Sequence, residues 1–116
     1  MHSNIQNLAV EIVRFVDDHQ PGWVACEFAD AEGNRHTLID KVPIFISDPL
    51  DANSAYPQLG KTRCEVLARW QDAQGRELVR ITIARPDVIK STEGLSEFVV
   101  LSPQLSSGNP AIRPPN

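Results

Sequence analysis

A β-hairpin with an Asp-Ala-Gln-Gly turn is the feature that most constrains what this chain can fold into. Residues 63–85 read RCEVLARWQDAQGRELVRITIAR. Apolar side chains alternate with polar ones on both sides of the turn, at Cys64, Val66, Ala68 and Trp70 and then at Val79, Ile81 and Ile83. A period of two is typical of strands with one buried face. Asp72 and Gly75 suit the first and fourth positions of a type I turn, because Asp caps backbone amides and Gly accepts a left-handed backbone.

A four-residue loop over residues 72–75 brings the two apolar faces together. It pairs Ala68 with Val79, Val66 with Ile81 and Cys64 with Ile83. A three-residue loop with a glycine bulge would instead pair Val66 with Thr82. We therefore predict the four-residue loop, and we expect Trp70 to lie in the core rather than in a ligand site.

The same turn pattern occurs earlier in the chain. Residues 28–33 (FADAEG) match residues 70–75 (WQDAQG) as aromatic-x-Asp-Ala-x-Gly. A second hairpin is therefore predicted around Asp30 and Gly33. Duplication and independent use of a favourable turn both remain open, because one short match does not establish a repeat.

Four further segments complete the predicted strands. Residues 8–16 (LAVEIVRFV) have a helical spacing, and Ser3 with Gln6 could form a capping box, but their density of β-branched side chains favours a strand. Residues 23–30 carry Val24, Cys26 and Phe28 on one face. Residues 35–46 form a strand with a bend or bulge near Pro43, and residues 96–101 form the last strand.

Six short strands and no clear helix predict an all-β fold, a small single-domain antiparallel barrel. Closure protects strand edges, and a two-sheet β-sandwich is the alternative. We expect the barrel to span residues 8–102, with residues 1–7 flexible and residues 103–116 a disordered, proline-rich tail. The total of 116 residues suits one core.

Composition limits the possible partners. The net charge is −4 and no basic stripe is interleaved with aromatic residues, so nucleic acid is not an expected partner. The apolar runs are too short to span a bilayer, and no export signal is recognisable, so we expect no membrane association and a cytoplasmic location. Cys26 and Cys64 are expected to be free, buried thiols.

The charges are unevenly distributed along the chain. Residues 17–51 contain two bases, Arg35 and Lys41, and eight acids: Asp17, Asp18, Glu27, Asp30, Glu32, Asp40, Asp48 and Asp51. Residues 61–90 contain seven bases and four acids. Such asymmetry allows charge-steered binding to a partner, although it also arises by chance.

No catalytic, metal or cofactor motif stands out. The sequence has no Gly-rich phosphate loop, no Gly-x-Ser-x-Gly elbow and no metal-ligand spacing. His19 lies in an acidic turn that is expected to be solvated, and both cysteines lie among apolar neighbours. We therefore predict no catalytic residues, no metal and no cofactor, and an enzymatic role is disfavoured.

The first functional hypothesis is a non-enzymatic protein-binding module. Small acidic proteins of the bacterial type are often adaptors or inhibitors, such as immunity proteins against toxins. The acidic surface and the long loop of residues 47–62, with Asp48, Asp51 and Tyr56, would meet a basic partner protein.

The alternative is a small-molecule-binding barrel. Its site would lie at one barrel mouth, ringed by Trp23, His36 and the two irregular stretches, residues 47–62 and 87–95. Two arginines, Arg69 and Arg80, lie beside outward-facing leucines on the main hairpin. They would form a mixed apolar and basic patch if nothing covers that face. The oligomeric state is not indicated by the sequence.

Overall fold

The computed structural model describes residues 4–107, which form one antiparallel sheet curled into a half-barrel. Its strands are β1 (Ile5–Asp17), β2 (Trp23–Ala29), β3 (Arg35–Lys41), β4 (Gln58–Gln71), β5 (Glu77–Thr82), β6 (Glu97–Leu101) and β7 (Leu105–Ser107). A helical turn, α1 (Val42–Phe45), follows β3, and a 3-10 turn (Ser102–Gln104) precedes β7. The all-β, barrel-like prediction is confirmed, and one sheet takes the place of the alternative sandwich.

The strand order explains how the sheet curls. Strands are arranged β3-β2-β1-β4-β5-β6, with β7 pairing the first half of β1. The two outer strands, β3 and β6, are bridged through loops. The Ala31 amide donates to the Val99 carbonyl at 2.8 Å, and the Thr92 amide donates to the Thr37 carbonyl at 2.9 Å. These bonds bring the β2–β3 turn and the β5–β6 loop together on the open side of the half-barrel.

The core fills the concave face of the sheet. Apolar side chains from all six strands on the main path lie there with almost no exposure, among them Leu8, Ile12, Val24, Leu38, Cys64, Val79, Ile81 and Val100. The buried face predicted for β2 is confirmed, because Val24, Cys26 and Phe28 are all buried, and Ala25 on the opposite face is buried as well. Burial of this apolar area is the main stabilising contribution, at roughly 25 cal/mol per Å².

The first strand was predicted correctly as a strand, but it is longer than expected. It begins at Ile5 rather than at Leu8, because residues 5–8 pair with β4 and residues 6–8 also pair with β7. The register shifts between Ile12 and Arg14 and again between Phe15 and Asp17. These bulges explain why apolar residues occur on both faces of the segment.

The predicted register of the main hairpin is wrong at its tip. The Asp72 amide donates to the Arg76 carbonyl, which leaves a three-residue loop with Gly75 at a φ of 80°. That loop alone would pair Val66 with Thr82. A β-bulge at Leu67 restores the predicted pairing of Val66 with Ile81.

The bulge also overturns the prediction that Trp70 lies in the core. Beyond Leu67 the alternation changes phase, so Ala68 is opposite Arg80 rather than Val79, and Trp70 is opposite Leu78. The Trp70 residue is 38% exposed. The indole therefore lies on the outer face of the sheet, where it is available to a ligand.

Two other segment boundaries differ from the predictions. The strand predicted over residues 35–46 ends at Lys41, because Pro43 has no N–H for a ladder but is well accommodated in the first turn of α1. The irregular loop predicted over residues 47–62 ends earlier, because β4 begins at Gln58. Gly60 lies within this strand, where a Cβ would be only 2.9 Å from Ile12 Cδ1.

The C-terminal boundary also moves. Residues 103–107 belong to the 3-10 turn and β7, and the Gln104 side chain donates to the Ala29 carbonyl at 2.8 Å. The rest of the predicted tail lies outside the described residues. Within residues 4–107, no helix has the length and apolar character needed to cross a membrane.

Candidate functional site

Three turns of the same construction lie on the open side of the half-barrel. In the first, the Gly33 amide donates to the Asp30 carbonyl, and Asp30 Oδ1 accepts from the Glu32 and Asn34 amides. The second turn repeats every one of these bonds at Asp72, with Gly75 and the amides of Gln74 and Arg76. The predicted common turn chemistry is therefore confirmed.

The third turn, residues 91–95, replaces the aspartate with a serine. The Gly94 amide donates to the Ser91 carbonyl, and Ser91 Oγ accepts from the amides of Glu93 and Leu95. Gly94 has a φ of 85°, as the glycines of the other two turns do. The side-chain oxygen of Ser91 thus performs the same capping role as a carboxylate oxygen.

These turns border an open cavity of about 550 Å³, which we call the turn cavity. Its lining comes from all three turns, from the tip of the main hairpin and from β6: Asp30, Ala31, Glu32, His36, Trp70, Asp72, Arg76, Leu78, Leu95, Glu97, Phe98 and Val99. A volume of this size is typical of ligand-binding clefts. The cavity exists because the Ala31–Val99 hydrogen bond holds the first turn against β6.

Apolar side chains form part of the lining of the turn cavity, which we call the apolar wall. Trp70 and Leu78 are cross-strand neighbours, and Leu95 is 45% exposed. The guanidinium carbon of Arg80 lies 5.8 Å from the centroid of the Trp70 ring, a cation–π distance. Large, partly exposed aromatic side chains with a fixed orientation are the usual anchors of binding sites.

Carboxylates also line the turn cavity. Burial opposes ionisation of Asp30, but hydrogen bonds from His36 and from the backbone of Asn34 and Glu32 outweigh it and hold the pKa of this carboxyl below its ordinary value. Arg76 donates from Nε to Asp72 Oδ2 at 2.8 Å, and this bond is the main cause of the lowered pKa of Asp72. Both carboxyls are therefore ionised at neutral pH.

His36 connects the first and third turns. Its side chain is only 10% exposed, its Nε2 lies 2.9 Å from Asp30 Oδ2, and its Nδ1 lies 3.8 Å from Glu93 Oε1. An ionised carboxylate can only accept, so Nε2 must carry the proton. His36 Nδ1 has no hydrogen-bond partner among the described residues.

Aromatic packing fixes the orientation of His36. The imidazole centroid lies 4.7 Å from the Phe98 ring and 5.4 Å from the Phe28 ring, and the two phenyl rings meet edge to face at 5.0 Å. The imidazole is thus held on three sides. The imidazole therefore lines the cavity as a fixed structural group. Its Nδ1 is buried, so a reacting group cannot reach that nitrogen.

Other chemistry-bearing groups are separated from the turn cavity. Burial raises the pKa of Cys26 to about 12 and that of Cys64 to about 11, so neither thiol is a ready nucleophile. Within residues 4–107, no group of three or more histidine, cysteine, aspartate or glutamate side chains is arranged to hold a metal ion.

The seven predicted site residues are not brought together. His36 lines the turn cavity, and Arg80 contacts its Trp70. Arg69 faces Val79 across the hairpin, with Nη1 3.8 Å from Glu77 Oε2. Trp23 is at the opposite end of β2 from the first turn, where Lys41 Nζ is 5.8 Å from its ring centroid.

The remaining predicted residues lie in the loop between α1 and β4. Asp48 and Asp51 are exposed there. Asp51 Oδ1 accepts from the Asn53 amide, and the Tyr56 hydroxyl donates to the Asp51 carbonyl at 2.8 Å. Asp51 and Tyr56 therefore hold the loop together, and neither lines the turn cavity.

Sequence reasoning missed most of the turn cavity. The sequence identifies Asp30, Asp72 and Gly75 only as turn residues, and its alternation predicts Trp70 in the core. The third turn carried a recognisable signal, because Ser91-x-x-Gly94 is the serine version of Asp-x-x-Gly. The contribution of β6, through Glu97 and Phe98, had no local signal.

Comparisons with known protein families, with curated proteins and with solved structures find no match to this chain. Function is therefore inferred from the turn cavity and its surroundings.

Proposed function

We propose that this protein is a non-enzymatic binding module that recognises a short segment of another protein in the turn cavity. The observation that carries the proposal is the exposure of Trp70 on the cavity wall. A strand-borne tryptophan that is removed from the core by a bulge exposes apolar area, which a partner can bury. Nothing else within the described part of the chain covers this ring completely.

The surroundings of the cavity favour a protein segment over a small ligand. Apolar exposure continues beyond the lining, with Leu67 39% exposed on the same hairpin. The lining also includes exposed turn residues, such as Glu32 and Arg76, so the cavity opens to the surface as a cleft. An extended segment can bury such a cleft together with the apolar surface around it.

The loop of residues 46–57 is a weaker candidate for the same role. Its acids Asp48 and Asp51 are exposed, as a charge-steered contact requires. No large exposed apolar side chain accompanies them within the loop, and exposed charge alone contributes little affinity. The turn cavity combines charge with apolar area, so we place recognition there.

Small-molecule binding is the second candidate. It is supported by the cavity volume of about 550 Å³, which would hold a drug-sized ligand. The two candidates differ in what should bind. A library of small organic fragments would yield ligands of the cavity if the second is correct, and peptides would bind more tightly if the first is correct.

Selection from a phage-displayed library of random dodecapeptides tests the proposal. Peptides selected on the wild type are expected to lose binding to Trp70→Ser and to keep binding to Leu59→Ser. Leu59 is the matched control, an apolar residue that is 85% exposed and lies outside the turn cavity. Failure to select peptides that depend on Trp70 would overturn the proposal, and fragments that shift the Trp70 indole signal in NMR spectra would then favour the second candidate.

A further inference from the structure

We infer that the turn cavity binds a lysine or arginine side chain flanked by apolar residues of the partner segment. The inference rests on the proposed function, because it assumes that a protein segment enters the cavity. It specifies the chemistry of that segment from the charges and the apolar wall of the cavity.

The charge of the lining is strongly negative. Its acids are Asp30, Glu32, Asp72 and Glu97, and its base is Arg76. Its four carboxylates and one guanidinium give a formal charge of −3, with histidine counted as neutral. A cleft with low-dielectric walls concentrates the field of such charges and attracts cations.

Two of the four carboxylates are already engaged. Asp72 is paired with Arg76, and Asp30 accepts from His36 and from the amides of its own turn. Glu32 and Glu97 are different. Both are exposed residues, and neither forms a salt bridge within residues 4–107. Glu97 attracts the Arg85 guanidinium without forming an ion pair with it. The carboxylate oxygens of Glu32 and Glu97 are therefore the ones available to an incoming cation.

The apolar wall complements these carboxylates. Lysine and arginine carry an apolar stem below the charged group, and that stem can pack on Leu78 and Leu95. The Trp70 ring already attracts one guanidinium, that of Arg80. Aromatic faces and carboxylates together are the surroundings that a cationic side chain prefers.

Other ligand chemistries fit the cavity less well. An anion would be repelled by the formal charge of −3 of the lining. A purely apolar segment would remove water from Glu32 and Glu97 without replacing their lost hydrogen bonds, which is costly. A basic residue with apolar neighbours complements both the carboxylates and the apolar side chains of the lining.

The test uses synthetic, fluorescein-labelled copies of the selected dodecapeptides and compares two double variants of the protein. Glu32→Gln/Glu97→Gln removes the two available carboxylates. Asp48→Asn/Asp51→Asn is the matched control, because it makes the same change in net charge outside the turn cavity. Binding is measured by fluorescence anisotropy at about 150 mM salt, where distant charges are largely screened.

The selected peptides are expected to carry lysine or arginine next to apolar residues. The Glu32→Gln/Glu97→Gln variant should weaken their binding roughly tenfold, and the control should change it by less than about twofold. Replacing the basic residue of the peptide with glutamine should weaken binding to the wild type by a similar factor.

Three results would overturn the inference. Peptides without basic residues that still depend on Trp70 would overturn it and leave the proposed function standing. Equal weakening by the two double variants would show that only net charge matters, which also contradicts a cation site at Glu32 and Glu97. Failure to obtain any Trp70-dependent peptide would overturn the inference together with the proposed function.

Discussion

His36 Nε2 lies 2.9 Å from Asp30 Oδ2, and this hydrogen bond joins the start of β3 to the turn that precedes it. The same carboxylate caps two amides of that turn through Oδ1. One side chain thus fixes both the shape of the first turn and the orientation of the imidazole. Since both residues line the turn cavity, this pair couples the folding of the turn to the shape of the site.

Replacing Asp30 with asparagine should destabilise the protein by about 1 kcal/mol, because the amide keeps the turn acceptor but loses the charge that holds His36. The pKa of Asp30 is lowered by folding, so its contribution is fully present above the unfolded pKa of about 3.9 and is lost as the pH falls through the folded value. Urea unfolding of the wild type and the variant at several pH values measures how the contribution of Asp30 to stability depends on pH. The difference between wild type and variant should be constant above about pH 4 and should shrink below it.

Asp72→Asn is the matched control for that prediction, since the turn is the same but the partner is an exposed arginine instead of a histidine whose side chain is only 10% exposed. It should reduce stability less than Asp30→Asn. Equal losses from the two variants would show that the turn alone, and not the His36 contact, accounts for the effect.

Gly60→Ala should destabilise the fold by about 1–3 kcal/mol through overpacking. A Cβ at this position would lie 2.9 Å from Ile12 Cδ1 and 3.0 Å from the Phe45 backbone oxygen, and the backbone cannot easily give way. Thermal and urea denaturation measure the loss. A variant as stable as the wild type would mean that Gly60 of β4 is not as close to Ile12 and to the Phe45 backbone of α1 as the structure shows.

Both cysteines should be unreactive in the folded protein. With pKa values of about 12 for Cys26 and about 11 for Cys64, the thiolate fractions at pH 8 are roughly one in ten thousand and one in a thousand. An aromatic disulfide reagent should therefore label neither thiol within minutes, and it should label both in denaturant. Rapid labelling of one thiol in the native state would contradict its burial.

Trp70→Ala should cost only about 1–2 kcal/mol of stability, because the residue is 38% exposed. Ile81→Ala, on the buried face of the neighbouring strand, should cost about 2–5 kcal/mol although isoleucine is the smaller side chain. Chemical denaturation of the two variants measures the difference. A larger loss of stability from Trp70→Ala than from Ile81→Ala would mean that the indole is buried in the core, as the sequence pattern alone predicts.

Local sequence patterns predict the strands and turns of this fold well. The turns at Asp30 and Asp72 follow from side-chain caps and from glycines with positive φ, which are local effects. The strand character of residues 8–16 follows from β-branching. These features depend on neighbours within a few residues, so the sequence displays them directly.

The position of Trp70 could not be predicted in the same way. The bulge at Leu67 lies in Val66-Leu67-Ala68, which contains neither glycine nor proline. A shift of one residue moves each following side chain of the strand to the opposite face of the sheet, as far as the turn. The three-residue loop shifts the register by one residue, and the bulge shifts it back before Val66. The predicted pairing of Val66 with Ile81 is therefore observed, although the predicted loop length is wrong.

The turn cavity itself depends on long-range contacts. It forms because Ala31 binds Val99 and Thr92 binds Thr37, which brings together turns that are far apart in sequence. Backbone hydrogen bonds of this kind leave no residue-specific pattern. The chemical groups of the site were therefore visible in the sequence, but their assembly was not.

The most direct test of the binding site is an NMR titration of the ¹⁵N-labelled wild-type protein with one selected, basic dodecapeptide. The largest shifts are expected at the amides of residues 30–34 and 72–76 and at the Trp70 indole N–H, with little change at residues 47–57 or at the Trp23 indole. Shifts concentrated in residues 47–57 or around Trp23, with the two turns unaffected, would contradict recognition in the turn cavity.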